Sequence, residues 1–89
     1  MRTVRIRVYG RVQGVGFRYY TLHTARILGI TGYVRNEYDG SVEIVGTGED
    51  ASIDEFIQRV DRGPIRANIS KCLIEELPEQ HFTDFEVRY

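Results

Sequence analysis

The apolar residues of this chain switch repeatedly between a two-residue and a 3.6-residue period, and the order of those switches leaves few folds open. From Thr3 to Tyr9, Val4, Ile6 and Val8 alternate with Arg5 and Arg7, which reads as a strand with one wet face. Gly10-Arg11-Val12-Gln13-Gly14-Val15-Gly16 breaks that alternation with three glycines. A helical period follows from Phe17 to Leu28, with Leu22, Ala25 and Leu28 on one side and Gly29 as its stop. Ile30 to Asn36 and Ser41 to Gly46 read as strands joined by the Asp39-Gly40 turn. Ile53, Phe56, Ile57 and Val60 then mark a second helix. Asp50 or Ser52 is its expected cap, with Ser52 and Glu55 fitting a capping box, and Gly63-Pro64 is its expected end. Ala67 to Leu77 reads as extended, with Ile69, Leu73 and Leu77 two or four apart, and Phe85, Val87 and Tyr89 alternate in a last short strand.

The resulting order, β-α-β-β-α-β with one further C-terminal strand, is that of a ferredoxin-like α+β sandwich. Two helices are expected on one face of an antiparallel sheet, with Arg5 and Arg7 on the other. No linker or repeat divides the 89 residues, so residues 1–89 are expected to be a single domain. The balance of 42% hydrophobic and 28% charged residues excludes disordered and low-complexity classes. No apolar run suits a membrane span or a signal peptide, and the single cysteine, Cys72, can close no intramolecular disulfide. A cytoplasmic protein is expected, without membrane partner. His23 and His81 are isolated, so no metal ligand set and no cofactor are expected.

Charge is distributed unevenly. All seven cationic side chains before Glu37 are arginines (Arg2, Arg5, Arg7, Arg11, Arg18, Arg26 and Arg35), with no acid among them, although the whole chain carries −1. Either the two halves interleave and neutralise each other, or an anionic ligand binds near the N-terminal half. The glycine segment favours a ligand. A glycine-rich turn leading into a helix lets backbone N–H groups converge where the helix dipole is positive. Arg18 sits in the first helical turn, where the dipole favours acids, and a residue that breaks a local rule marks a candidate site. The right-handed crossover makes the first two strands parallel, which brings Asn36 to the same sheet edge as the loop. The segment lacks the Gly-Lys-Ser/Thr ending of a nucleotide P-loop. Gly14-Val15-Gly16-Phe17 echoes the glycine–aromatic motif of RNA-binding RRM domains, but it lies in the wrong element.

Gly10-Arg11-Val12-Gln13-Gly14-Val15-Gly16-Phe17-Arg18 resembles the first signature of the acylphosphatase family. Gly32-Tyr33-Val34-Arg35-Asn36, followed by Gly40-Ser41-Val42 and Gly48, resembles its second. The resemblance extends over the whole chain, to the ending Phe85-Glu86-Val87-Arg88-Tyr89, and is to the free-standing form of the enzyme. It implies a metal-independent hydrolase that cleaves the carboxyl–phosphate anhydride of small-molecule acyl phosphates and releases inorganic phosphate. By the same resemblance, Arg18 and Asn36 are the expected catalytic residues, and Gln13, Gly14, Val15, Gly16 and Phe17 the expected phosphate-binding loop. A monomer without nucleic-acid partner is expected. The competing expectation is a non-catalytic ferredoxin-like module whose arginine-rich open face binds anions or RNA.

Overall fold

The computed structural model describes all 89 residues. Strand β1 (Arg2–Arg11) leads into helix α1 (Phe17–Leu28); β2 (Thr31–Asn36), β3 (Val42–Gly48), α2 (Asp50–Arg62), β4 (Asn68–Leu77) and β5 (Phe85–Arg88) follow. The sheet order is β4-β1-β3-β2-β5, with both helices packed on one face. No helix is long and apolar enough to cross a membrane.

The alternation in β1 sets the layers. Val4, Ile6 and Val8 are fully buried beneath the helices, against Ile44, Val34, Ile53, Phe56, Val60 and Phe85. Burying each such side chain contributes about 1.5–3 kcal/mol. Helix α2 carries the expected stripe, but its cap differs from expectation. The helix begins at Asp50 with Glu49 as N-cap, so Ser52 falls inside the first turn and no side-chain cap forms. Glu55 pairs with Arg59 one turn on instead. In α1 the buried residues are Phe17, Thr21, Thr24 and Ala25, with Leu22 and Leu28 at the margin. The two threonines are satisfied within the helix: their hydroxyls donate to Phe17 O at 2.9 Å and Tyr20 O at 2.8 Å.

The first four strands pair antiparallel, as expected, and the additional C-terminal strand makes the sheet mixed. β5 pairs parallel to β2, Gly32 opposite Phe85 and Arg35 opposite Arg88. The cause is the connection from Pro78 to Asp84, which crosses one end of the sheet directly. Chain that leaves β4 and crosses without turning back must run opposite to β4, and so along β1 and β2. The crossing segment is bonded to the open face as it passes. Gln80 N–H donates to Thr3 Oγ1 at 2.9 Å, and Thr47 Oγ1 donates to Gln80 O at 2.9 Å. The Phe82 ring meets Tyr33 edge-on at 6.1 Å. All of β3 is buried, including the side of the sheet expected to be wet: the crossing segment meets Thr47, and Arg5, Arg7 and Arg35 reach Glu43.

Strand β4 does not keep its evenly spaced apolar residues on one face. A register shift opposite Tyr9/Gly10 adds a residue to β4 between Ile69 and Lys71. Ile69 packs on the core, whereas Leu73 pairs with Arg7 and Leu77 with Thr3 on the opposite face.

Candidate active site

The loop between β1 and α1 is held by alternate side chains. Val12, Val15 and Phe17 are buried in the core, while Gly14 and Gly16 face outward. Both glycines adopt left-handed conformations, φ 72° and 80°, which a side chain would strain. Gly16 is the N-cap of α1 and has no side chain to cap it; the first helical bond runs from Tyr20 N–H to Gly16 O at 3.0 Å. None of the backbone hydrogen bonds outside helices and strands uses an N–H of residues 13–18 as donor. A row of free N–H groups therefore stands at the positive end of a helix dipole.

Arg18 is half-buried beside this row. Its Cζ lies 4.8 Å from the centre of the Tyr89 ring, and it forms no ion pair. Gly14, Gly16, Phe17, Arg18, Val87 and Tyr89 line a cavity of about 80 Å³. At about 30 Å³ per water, that is room for two or three waters or one phosphoryl group. Asn36 ends β2, in register with Val42 on the face that carries the helices. It lines a cleft of about 510 Å³ with Arg35, Glu37, Tyr38 and Tyr89. Tyr89 borders both spaces, so β5 joins the Arg18 and Asn36 sides.

Gln13 makes the second join. Its Nε2 donates to Glu37 O at 2.8 Å and to Ser41 O at 2.9 Å, both on the β2–β3 turn. Its side chain is thereby committed to the hairpin that carries Asn36. The turn itself is fixed by Asp39, whose carboxylate accepts from Ser41 N–H and Oγ; those bonds hold its pKa below the usual carboxylate range. The shared edge expected for the loop and Asn36 is thus present. The roles of Tyr89 and of the Gln13 amide were not legible in the sequence. Alternation placed Tyr89 on a strand face but could not place that strand beside α1.

The remaining arginines resolve the charge asymmetry. Arg2 pairs with Asp54 at 2.7 Å and Glu76 at 2.8 Å, and Arg26 with Asp84 at 3.6 Å. Arg5, Arg7 and Arg35 converge on one buried carboxylate, Glu43, at 3.1, 3.3 and 3.0 Å. Of the seven N-terminal arginines, only Arg11 and Arg18 lack an acidic partner. The open face expected of an RNA-binding module is therefore largely neutralised. A wider cleft of about 530 Å³ between the helices, bordered by Tyr20, Thr24, Asp54 and Arg59, holds none of the loop residues. No three metal-binding side chains gather anywhere, and burial pushes the Cys72 thiol up to about 11.

Fold and site together define a ferredoxin-like α+β domain with an anion cradle at the start of its first helix. The family model for Acylphosphatase matches residues 4–87. An acylphosphatase of Oceanobacillus iheyensis is 46% identical over the full length of both chains. The crystal structure of acylphosphatase from Bacillus subtilis superposes with a TM-score of 0.95 at 33% identity, covering both chains completely. That of an acylphosphatase from Coxiella burnetii gives 0.93 at 37% identity, covering 98% of this chain and 92% of that one. The chain belongs to the acylphosphatase family, and so to a class of hydrolases.

Proposed function

We propose that the loop, Arg18 and Asn36 together hydrolyse the carboxyl–phosphate anhydride of a small acyl phosphate, giving a carboxylate and inorganic phosphate. The observation that carries this reading is the row of unpartnered N–H groups beside the one unpaired arginine of α1. The leaving carboxylate has a conjugate acid of pKa about 4, so it departs without a general acid. What remains is to hold the phosphoryl group, stabilise its oxygens as the bond breaks, and aim a water. The N–H row and the helix dipole hold the oxygens. Arg18 supplies a planar fork that binds two of them. Asn36 cannot accept a proton usefully, but its amide can orient the attacking water. Gln13 keeps that amide at a fixed position relative to the cradle.

The test is turnover of benzoyl phosphate by the intact chain and by Asn36→Ala, with phosphate binding measured on both. The intact chain should release inorganic phosphate, with product phosphate inhibiting competitively. In the variant kcat should fall by roughly 10²–10³, the loss typical of one positioned polar group, while phosphate affinity barely changes. Wild-type kcat in Asn36→Ala would remove the water-orienting role. Absence of turnover in the intact chain would remove the hydrolytic reading itself.

A further inference from the structure

Strand β4 forms one border of the sheet and pairs only with β1. It is 10 residues long, against 4 for β5 at the other border, and none of its residues is buried. Past the register shift opposite Tyr9/Gly10, Lys71 to Leu77 run unbroken along β1, and no proline interrupts them. Their outer N–H and C=O groups form a row without partners, which is a template for another strand. Apolar side chains stay accessible on both of its faces. Leu73, 49% exposed, lies on the open face opposite Arg7, and Ile74, 48% exposed, lies on the helix face opposite Ile6.

The charges along this border are sorted. From Arg62 to Lys71 every charged residue is a cation, and from Glu75 to Glu79 every one is an acid. Arg62, Arg66 and Lys71 form no ion pair. Lys71, Leu73 and Glu75 share the open face, because their β1 partners Tyr9, Arg7 and Arg5 alternate with the buried Val8 and Ile6. The Lys71 Nζ lies 4.7 Å from the centre of the Tyr9 ring, and Glu75 accepts from Arg5 at 3.0 Å, while both stay exposed. A strand whose charges run the opposite way complements this border. A second β4, laid antiparallel, is such a strand.

We propose that a second copy of this chain pairs along β4, antiparallel and about a two-fold axis at Leu73, joining two sheets of five strands into one of ten. Such an axis stands perpendicular to the sheet and sets one residue opposite its own copy. At Leu73 it brings the two Leu73 side chains together and sets Lys71 of each copy opposite Glu75 of the other, all on the open face. An axis at Cys72 or Ile74 sets Lys71 opposite Leu73 or Leu77 instead, so charge selects the register. The cradle is lined by Val87 and Tyr89 at the other border of the sheet, so association leaves it open in both copies. Contact along a single strand is small, which makes the dimer a weak and reversible one.

The test is sedimentation equilibrium of the intact chain from about 10 μM to 1 mM, a range that reads weak association. The intact chain should pass from monomer to dimer and form nothing larger. Lys71→Glu alone, or Glu75→Lys alone, turns both cross-strand pairs into like charges and should raise Kd at least about tenfold, with the melting temperature little changed. An equimolar mixture of the two variants regains opposite charges at both positions and should associate within about twofold of the intact chain. Should either variant fail to fold, the double exchange Lys71→Glu/Glu75→Lys, which also restores both pairs, should dimerise as the intact chain does. An intact chain that stays monomeric to about 1 mM would overturn the proposal, its charges then guarding the edge against association. A dimer indifferent to both single substitutions would overturn it too, as would folded variants that remain monomeric when mixed.

Discussion

The two sides of the sheet treat arginine in opposite ways. On the open side Arg5, Arg7 and Arg35 crowd around Glu43, a carboxylate only 3% exposed. Their charges serve to make that acid tolerable inside the protein. On the helix side Arg18 has no acid at all, only the Tyr89 ring and the free N–H row. The residues are chemically identical and come from the same stretch of chain. What separates them is position: the pleat points Arg5 and Arg7 toward β3's one acid, whereas the loop delivers Arg18 to a helix start. An arginine becomes available to a ligand when the fold gives it a cavity and withholds an acid.

Replacing Arg18 by lysine is the sharpest way to test that contrast. It keeps the charge and removes the fork, so kcat/KM should fall by about 10³ with the melting temperature unchanged. Near-normal turnover in Arg18→Lys would reduce its role to that of a point charge. The opposite side is probed by Glu43→Gln, which leaves three cations around a neutral amide. Stability in denaturant should drop by about 2 kcal/mol, less than for a fully buried pair, because the three arginines are partly solvated and Arg5 and Arg35 keep Glu75 and Glu37. Activity per folded molecule should hold within about twofold, well below the loss expected for a group that meets the transition state. A large loss of kcat there would show that the two sides are not independent. The smallest change is expected at the link between cradle and hairpin. Gln13→Glu replaces two donors by acceptors facing two carbonyls. It should lower kcat about tenfold through misplacement of Asn36, while phosphate affinity changes less. Equal losses in both would make Gln13 a ligand contact and not a positioning residue.

Much of this was legible in the sequence because β1 and α2 obey simple periods. Val4, Ile6 and Val8, and Ile53, Phe56 and Val60, lie where their spacing puts them. The loop and Asn36 share one end because a single helix returns the chain between β1 and β2, which therefore run parallel. The illegible parts depend on partners distant in sequence. Leu73 and Leu77 change face because β4 holds an extra residue opposite β1. Glu43 looks like a solvent-facing residue of an alternating strand until three arginines from two other strands cover it. Ser52 and Glu55 fit a capping box by spacing, but the helix starts earlier and Glu55 finds Arg59. The direction of β5 follows from where Pro78 to Asp84 crosses, which short-range pattern does not encode.

The strand order also has a consequence in time. Only β2 and β3 are neighbours both in sequence and in the sheet; β1 must find β3 across α1 and β2, and β4 must find β1 across most of the chain. Closing such long loops precedes the contacts that reward it, which places chains of this topology among slower-folding small domains, at roughly milliseconds to seconds. The cradle lies between β1 and α1, Asn36 lies on the hairpin, and Tyr89 follows the last strand. Catalytic competence should therefore return in refolding together with the complete sheet, with no active species preceding it.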